Sequence, residues 1–165
     1  MSRFNTNGVY IWNFGNSFLV TCPKCNNSAR IITKDDENSP EVRFSCLKCG
    51  YSKEWERKSS GISYCQNANY FKEGEVWIGD AVDWYFHFPL TLQTSCCGQN
   101  LWAYNLKHLS WLKSYVSAKL REHSPHQSYG WSNQSLASRL PKWVKQHNNR
   151  NAIMSAIKKL EKKVG

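Results

Sequence analysis

The chain has 165 residues, 41% of them hydrophobic and 21% charged, with a formal net charge of +10. That length and apolar content suffice to bury a core, which excludes a disordered chain and favours one compact unit or a small module joined to a second domain. No apolar run approaches a membrane span, and Met1–Asn7 offers no apolar stretch behind a basic start, so the sequence predicts a soluble protein of a reducing cytoplasm.

The charge is unevenly placed. Residues 1–104 carry ten Lys/Arg and ten Asp/Glu, whereas residues 105–165 carry twelve Lys/Arg against Glu122 and Glu161 alone. A basic excess confined to one segment points to a polyanionic partner, most simply nucleic acid, because each phosphate contact releases condensed counterions. A solvated helical surface is the competing reading, above all for Lys158, Lys159, Lys162 and Lys163.

Near the N-terminus, Cys22-Pro-Lys-Cys25 and Cys46-Leu-Lys-Cys49 form two C-x2-C pairs separated by twenty residues. A tight turn can aim both sulfurs of each pair at one metal ion, and the spacer is long enough for a hairpin to bring the pairs face to face. The spacing predicts one structural Zn2+ held by Cys22, Cys25, Cys46 and Cys49, with no open position for water or substrate. Four short strands should flank the pairs: Ser17–Val20, Ala29–Thr33, Glu41–Ser45 and Tyr51–Trp55. Gly50 suits the positive φ of a metal knuckle, and residues 35–40 read as a polar turn.

Residues 58–75 read as a polar connector with one short strand at Ile62–Cys65. Three further strand-like runs follow, at Val76–Gly79, Leu90–Thr94 and Leu101–Tyr104, the last two pairing as a hairpin. The aromatic stretch Asp83–Pro89 predicts a loop packed on a small sheet. Cys65, Cys96 and Cys97 are expected to be unligated. Neighbouring residues on an extended strand point to opposite sides, so Cys96 and Cys97 would need a special turn to share an ion, with His87 as a further donor.

Asn105 predicts the N-cap of a helix from Leu106 to about Glu122, with Leu106, Leu109, Leu112, Val116 and Leu120 as its core stripe. A second helical segment should begin at Ser132, Pro141 should end it or open the next, and Asn148-Asn149 should precede a terminal amphipathic helix built on Ile153, Ala156, Ile157, Leu160 and Val164. The reading is therefore α+β, in three segments: a four-cysteine zinc ribbon at 1–57, an antiparallel β extension at 58–104 and a basic helical region at 105–165.

The Cys-Pro-x-Cys and Cys-x-x-Cys-Gly-Tyr forms resemble the transcription-factor type of zinc ribbon, over about residues 16 to 57. Cys96-Cys97-Gly98, Leu101–Asn105 and Leu140-Pro141-Lys142-Trp143 are similar to signatures of a family of small uncharacterised bacterial zinc-ribbon proteins, and that resemblance implies a bacterial, metal-bearing protein.

Enzyme signatures are missing. The chain has no Walker loop, no dinucleotide fingerprint and no serine nucleophile elbow, its five histidines match no metal-site spacing, and Asp80 and Asp83 read as solvated turn carboxylates. We expect a non-enzymatic protein that binds DNA or RNA, without a small-molecule substrate. On the 106–122 helix, His108, Trp111, Tyr115 and Lys119 recur at helical steps away from the core stripe, so rings could stack on bases while Lys119, Lys142, Lys145 and Arg150 neutralise phosphates. Packing of Trp111 and Tyr115 against neighbouring elements is the competing reading. A protein-interaction adaptor, such as an antitoxin, immunity or assembly factor, is the alternative function, suited to an aromatic content of 14%.

Overall fold

A computed structural model describes residues 3–5, 9–34, 41–58, 62–64, 73–118, 120–122 and 136–164. In chain order these residues form strands β1 (Arg3–Asn5), β2 (Ser17–Thr21), β3 (Ser28–Lys34), β4 (Glu41–Ser45), β5 (Ser52–Glu54), β6 (Ile62–Tyr64), β7 (Val76–Ile78), β8 (Gln93–Cys96) and β9 (Gln99–Trp102). Helix α1 (Leu106–Ser117), strand β10 (Leu120–Glu122) and helices α2 (Leu136–Arg139), α3 (Lys142–Lys145) and α4 (Arg150–Val164) follow. The architecture is α+β, with an N-terminal antiparallel sheet in the order β2-β3-β4-β5 and helices toward the C-terminus.

Period-two alternation builds the sheet. In β3 and β4, Ala29, Ile31, Val42 and Phe44 are buried while their neighbours face water, and the register sets Phe18, Ile31 and Phe44 side by side across three strands. Burying each such side chain is worth about 1.5–3 kcal/mol. The covering layer is the aromatic loop after β7. Trp84 and Tyr85 meet the Phe18 ring, and Phe86 and Phe88 meet Phe44, with centroids 5.1–6.2 Å apart. Gly15 lets the Trp84 indole close over the turn that precedes β2: a Cβ there would lie 2.3 Å from the ring.

Asp83 organises that loop. Its carboxylate is fully buried, and it accepts from the backbone N–H groups of Tyr85, Phe86 and Phe88 at 2.9, 2.7 and 2.7 Å. The expected solvated turn carboxylate is therefore corrected: three convergent donors make a site inside the fold where the group can be buried. Burial still outweighs those donors and pushes its pKa up to about 6.

A second core lies between the β8–β9 hairpin and helices α1 and α4, from Leu92, Leu101, Leu109, Leu112, Val116, Ile153, Ile157 and Leu160. The hairpin pairs as expected, turning through Cys97 and Gly98, both at positive φ. The free edge of β2 joins the two halves: the Thr91 amide donates to the Leu19 carbonyl, and the Leu19 amide donates to the Tyr104 carbonyl, each at 2.9 Å. The first core in turn gathers Phe18 and Phe44, Val76 and Trp84, and Leu136, drawing on all three sequence segments.

Two local expectations change. Helix α1 stops at Ser117, not near Glu122, because Ala118 turns to extended backbone and Leu120–Glu122 pairs in parallel with β1. Nothing in residues 118–122 breaks a helix by itself, so a tertiary strand pairing overrides local propensity. The strand β6 pairs with β7 in parallel, not antiparallel, through a connection longer than a hairpin turn. Ser132, where a helix was expected to start, lies outside the described residues; Pro141 caps α3, and the 3-10 turn His147–Asn149 runs directly into α4.

Asn105 caps α1 as expected and does more. Its Oδ1 accepts from the His108 amide at 2.9 Å, while its Nδ2 donates to the carbonyls of Phe14 and Ser17 at 2.9 and 2.8 Å. One side chain thus fixes the helix start to the entry of the N-terminal sheet. Asn105→Ala should lower the unfolding free energy by about 2–3 kcal/mol, combining a lost cap with two stranded carbonyls, one buried and one partly buried, whereas Leu106→Ala at the neighbouring exposed site should change it by less than about 0.5 kcal/mol. Urea titrations of both variants check the contrast.

Candidate metal centre and basic surface

Each C-x2-C pair occupies the turn of a hairpin, the first between β2 and β3 and the second between β4 and β5. The two turns share one backbone pattern. The Asn26 amide donates to the Cys22 carbonyl and the Gly50 amide to the Cys46 carbonyl, both at 2.9 Å; the Cys22 amide donates to the Asn27 carbonyl at 2.8 Å and the Cys46 amide to the Tyr51 carbonyl at 2.9 Å. Asn26 and Gly50 hold corresponding places, with φ of 61° and 79°. Glycine takes that region without strain and asparagine is among the few other residues that visit it readily. Lys24 lies over the Tyr51 ring at 5.3 Å, tying one turn to the other.

These turns bring four sulfurs together. Cys22 Sγ lies 3.7 Å from Cys49 Sγ and Cys25 Sγ 3.6 Å from Cys46 Sγ, and all four lie within 4.8 Å of one another. A metal–sulfur bond of about 2.3 Å in a tetrahedral shell separates the sulfurs by about 3.8 Å. The cluster therefore fits a tetrahedral four-thiolate metal centre. Among the described residues it is the one group of three or more potential ligands this close. Cys22 and Cys46 are buried, Cys25 is half-buried and Cys49 exposed.

Charge explains why such a cluster wants a cation. Hydrogen bonds from the Asn27 side chain and backbone hold the Cys25 thiol down to about 6. At Cys49 the Tyr51 amide favours the thiolate, but desolvation and hydrogen bonding among the four sulfurs together push the thiol up to about 12. Four thiolates this close repel one another, so they can share this volume only around a positive ion.

The residues predicted to face nucleic acid do not form one surface. His108 and Tyr115 are buried, a correction to the expected stacking face. His108 packs on Phe14 with centroids 4.8 Å apart, and its Nδ1 accepts from the Tyr104 amide at 3.1 Å; Tyr115 belongs to the second core. Trp111 is half-buried, stacked on Tyr115 and packed against both cores. Lys119 lies outside the described residues. Lys142 is exposed, Lys145 is half-buried, and the half-buried Arg150 donates from Nη2 to the Ala118 carbonyl at 3.2 Å.

The exposed charge gathers instead on α4. Ile153, Ala156, Ile157 and Leu160 bury one side of the helix, leaving Lys158, Lys159, Lys162 and Lys163 exposed. Glu161 pairs with Lys113 of α1 at 3.1 Å, and Lys163 donates to the carbonyls of Thr91 and Gln93. The sequence already offered these lysines as a solvated helical surface; what it did not signal is that the rings at His108 and Tyr115 of α1 turn inward.

Of the leftover cysteines, Cys96 is buried, Cys97 exposed, and Cys65 lies outside the described residues. The Cys96 and Cys97 sulfurs lie 3.6 Å apart, on the same side of the turn, because Cys97 has a φ of 56°. The alternation expected of an extended strand stops there. His87 does not join them; its Nε2 meets the Glu75 carbonyl at 2.9 Å.

Compared with protein-family models, with curated proteins and with solved structures, the chain matches none of them. The reading of the site rests on its own geometry.

Elemental analysis of freshly purified protein should find about one metal ion per chain, falling to about zero in Cys22→Ser with a large loss of thermal stability, because metal binding and folding of the hairpins are linked. A second expectation concerns pH. Burial depresses the His108 pKa to about 3, so the folded state keeps the ring neutral while the unfolded chain takes up a proton below about 6.5. The stability this group contributes is present above 6.5 and is lost as pH falls. Asp83 acts oppositely, since its raised value favours the protonated folded state as pH falls from about 6 toward 4. The stability difference between wild type and His108→Gln should shrink on acidification, and that between wild type and Asp83→Asn should shift toward wild type. Paired urea titrations at pH 7 and pH 4.5 read both.

Proposed function

We propose that this is a non-enzymatic zinc-ribbon protein that binds nucleic acid through the outer face of α4. The four-thiolate geometry supports zinc, which takes four cysteine ligands in closed structural sites and leaves no position for a reacting molecule. The paired hairpin knuckles support the ribbon reading, and the ion's task is then to hold the sheet.

The observation that carries the nucleic-acid reading is the segregation of charge in three dimensions. The apolar side of α4 is consumed by the second core, and the helix's carboxylate is engaged by Lys113. Lys158, Lys159 and Lys162 stand together on the solvent side, where a run of phosphates would release counterions on binding. Lys163 is tied to strand carbonyls, and Lys142 is exposed on α3. Contacts of this kind position a polyanion without reading its sequence.

A second reading, the protein adaptor, is favoured by one surface feature. Of the four large apolar side chains exposed among the described residues, three, Trp12, Ile32 and Leu106, at 44%, 46% and 49%, lie around the start of α1, while Leu47, at 96%, lies in the second cysteine turn. Such a cluster suits a protein contact.

Fluorescence anisotropy with random duplex and single-stranded oligonucleotides, titrated with salt, separates the two. Wild type should bind with a steep salt dependence, and Lys158→Glu/Lys159→Glu/Lys162→Glu should weaken binding by more than about tenfold, with the log–log salt slope reduced by about 3. Unchanged affinity in a folded triple variant would remove the α4 face and favour the adaptor reading.

A further inference from the structure

An open space lies where the two cores meet. A cavity of about 680 Å³ is bounded by Ile11 and Leu136 on the side of the first core, by Leu101, Leu112 and Val144 on the side of the second, and by Trp102 and Trp143. Its volume falls within the range of small-molecule sites, which are mostly apolar with one or two fixed polar groups. An apolar space of this size between two packed cores sacrifices contact that close packing would otherwise supply.

One polar group meets that space with a defined chemical identity. His108 of α1 lines the cavity and is almost wholly buried. Its Nδ1 accepts from the Tyr104 amide, so the neutral ring carries its proton on Nε2. Among the described residues no protein acceptor meets that Nε2–H. The ring cannot turn over without losing the Tyr104 hydrogen bond, and stacking on Phe14 holds its plane. Two neighbouring polar groups are committed: the Gly79 amide donates to the Tyr104 hydroxyl, and the Asn100 side chain donates to Gln93. Among the described residues no Lys or Arg lines the wall.

We propose that this cavity is a binding site for a small, uncharged, largely apolar molecule carrying one carbonyl or hydroxyl oxygen, which accepts a hydrogen bond from His108 Nε2–H. The apolar walls select against charge, since an anion would enter without a cation to meet it. The aromatic sides of Trp102 and Trp143 favour a ring system. The site stands apart from the metal cluster and from the α4 lysines, so it is independent of the nucleic-acid reading.

The test uses three probes of nearly equal size on the metal-loaded full chain, followed by isothermal titration calorimetry: 2-acetylnaphthalene, which carries an acceptor; 2-ethylnaphthalene, which lacks one; and 2-naphthoate, which is charged. The ketone should bind saturably at one per chain, about tenfold tighter than the hydrocarbon, the ratio expected of one buried hydrogen bond, and the naphthoate should bind more weakly than either. Leu140→Trp, which fills the cavity from its rim, should abolish binding of all three. His108→Phe should remove the preference for the ketone; should that variant not fold, the ketone-to-hydrocarbon ratio in wild type and the Leu140→Trp result decide the matter. The Lys158→Glu/Lys159→Glu/Lys162→Glu variant should bind the ketone as wild type does. No saturable ketone binding, equal affinity for ketone and hydrocarbon, or binding that survives Leu140→Trp would each overturn the proposal.

Discussion

Four sulfur atoms within 4.8 Å of one another set the terms for the N-terminal half of this protein. Thiols at that spacing resist joint ionisation, and thiolates at that spacing need a cation at their centre. Once one is present, the two knuckles become a single rigid clasp, and the strands on either side are held in the register that lines up Phe18, Ile31 and Phe44. A sheet of this size has one face of apolar residues and too little area to stand alone. A metal-closed clasp would fix one end, and the aromatic loop gathered around the buried Asp83 carboxylate covers the apolar face.

The rest of the chain is fastened to that sheet rather than appended to it. The edge of β2 bonds Thr91 and Tyr104, and the Asn105 amide group reaches back to Phe14 and Ser17 while its oxygen starts α1. Helix α1 therefore begins at a position the N-terminal half dictates. Its buried side joins α4 and the β8–β9 hairpin in the second core. The junction of the two cores also encloses a cavity, and His108 sits there, stacked on Phe14 and hydrogen-bonded to Tyr104.

Much of this was legible from local signals. Cysteine spacing named the four sulfurs that cluster at metal-binding distance, Asn105 before an apolar stripe named a helix start, and Gly50 named a left-handed turn. The features that escaped depend on what lies across the fold. Steps of three and four from His108 to Tyr115 look alike whether the second face of α1 meets solvent or a second set of neighbours, and here it meets Phe14 and the second core. Asp83 resembled any turn carboxylate because its three donors are backbone amides, which carry no sequence mark. Asn26 mirrors Gly50, yet asparagine is common enough in turns to hide a positive φ. The end of α1 at Ser117 follows from a pairing with Arg3–Asn5, more than a hundred residues away in the chain. Local periodicity cannot register such a partner.

The account turns on a closed four-thiolate ion as the clasp of the N-terminal sheet. X-ray absorption at the zinc edge of the purified protein tests that claim most directly, since it reports the identity, number and distance of the atoms bound to the ion. Four sulfur scatterers at about 2.3 Å, with no nitrogen or oxygen in the shell, are predicted. A shell of mixed sulfur and nitrogen or oxygen donors, or no zinc signal at all, would contradict it.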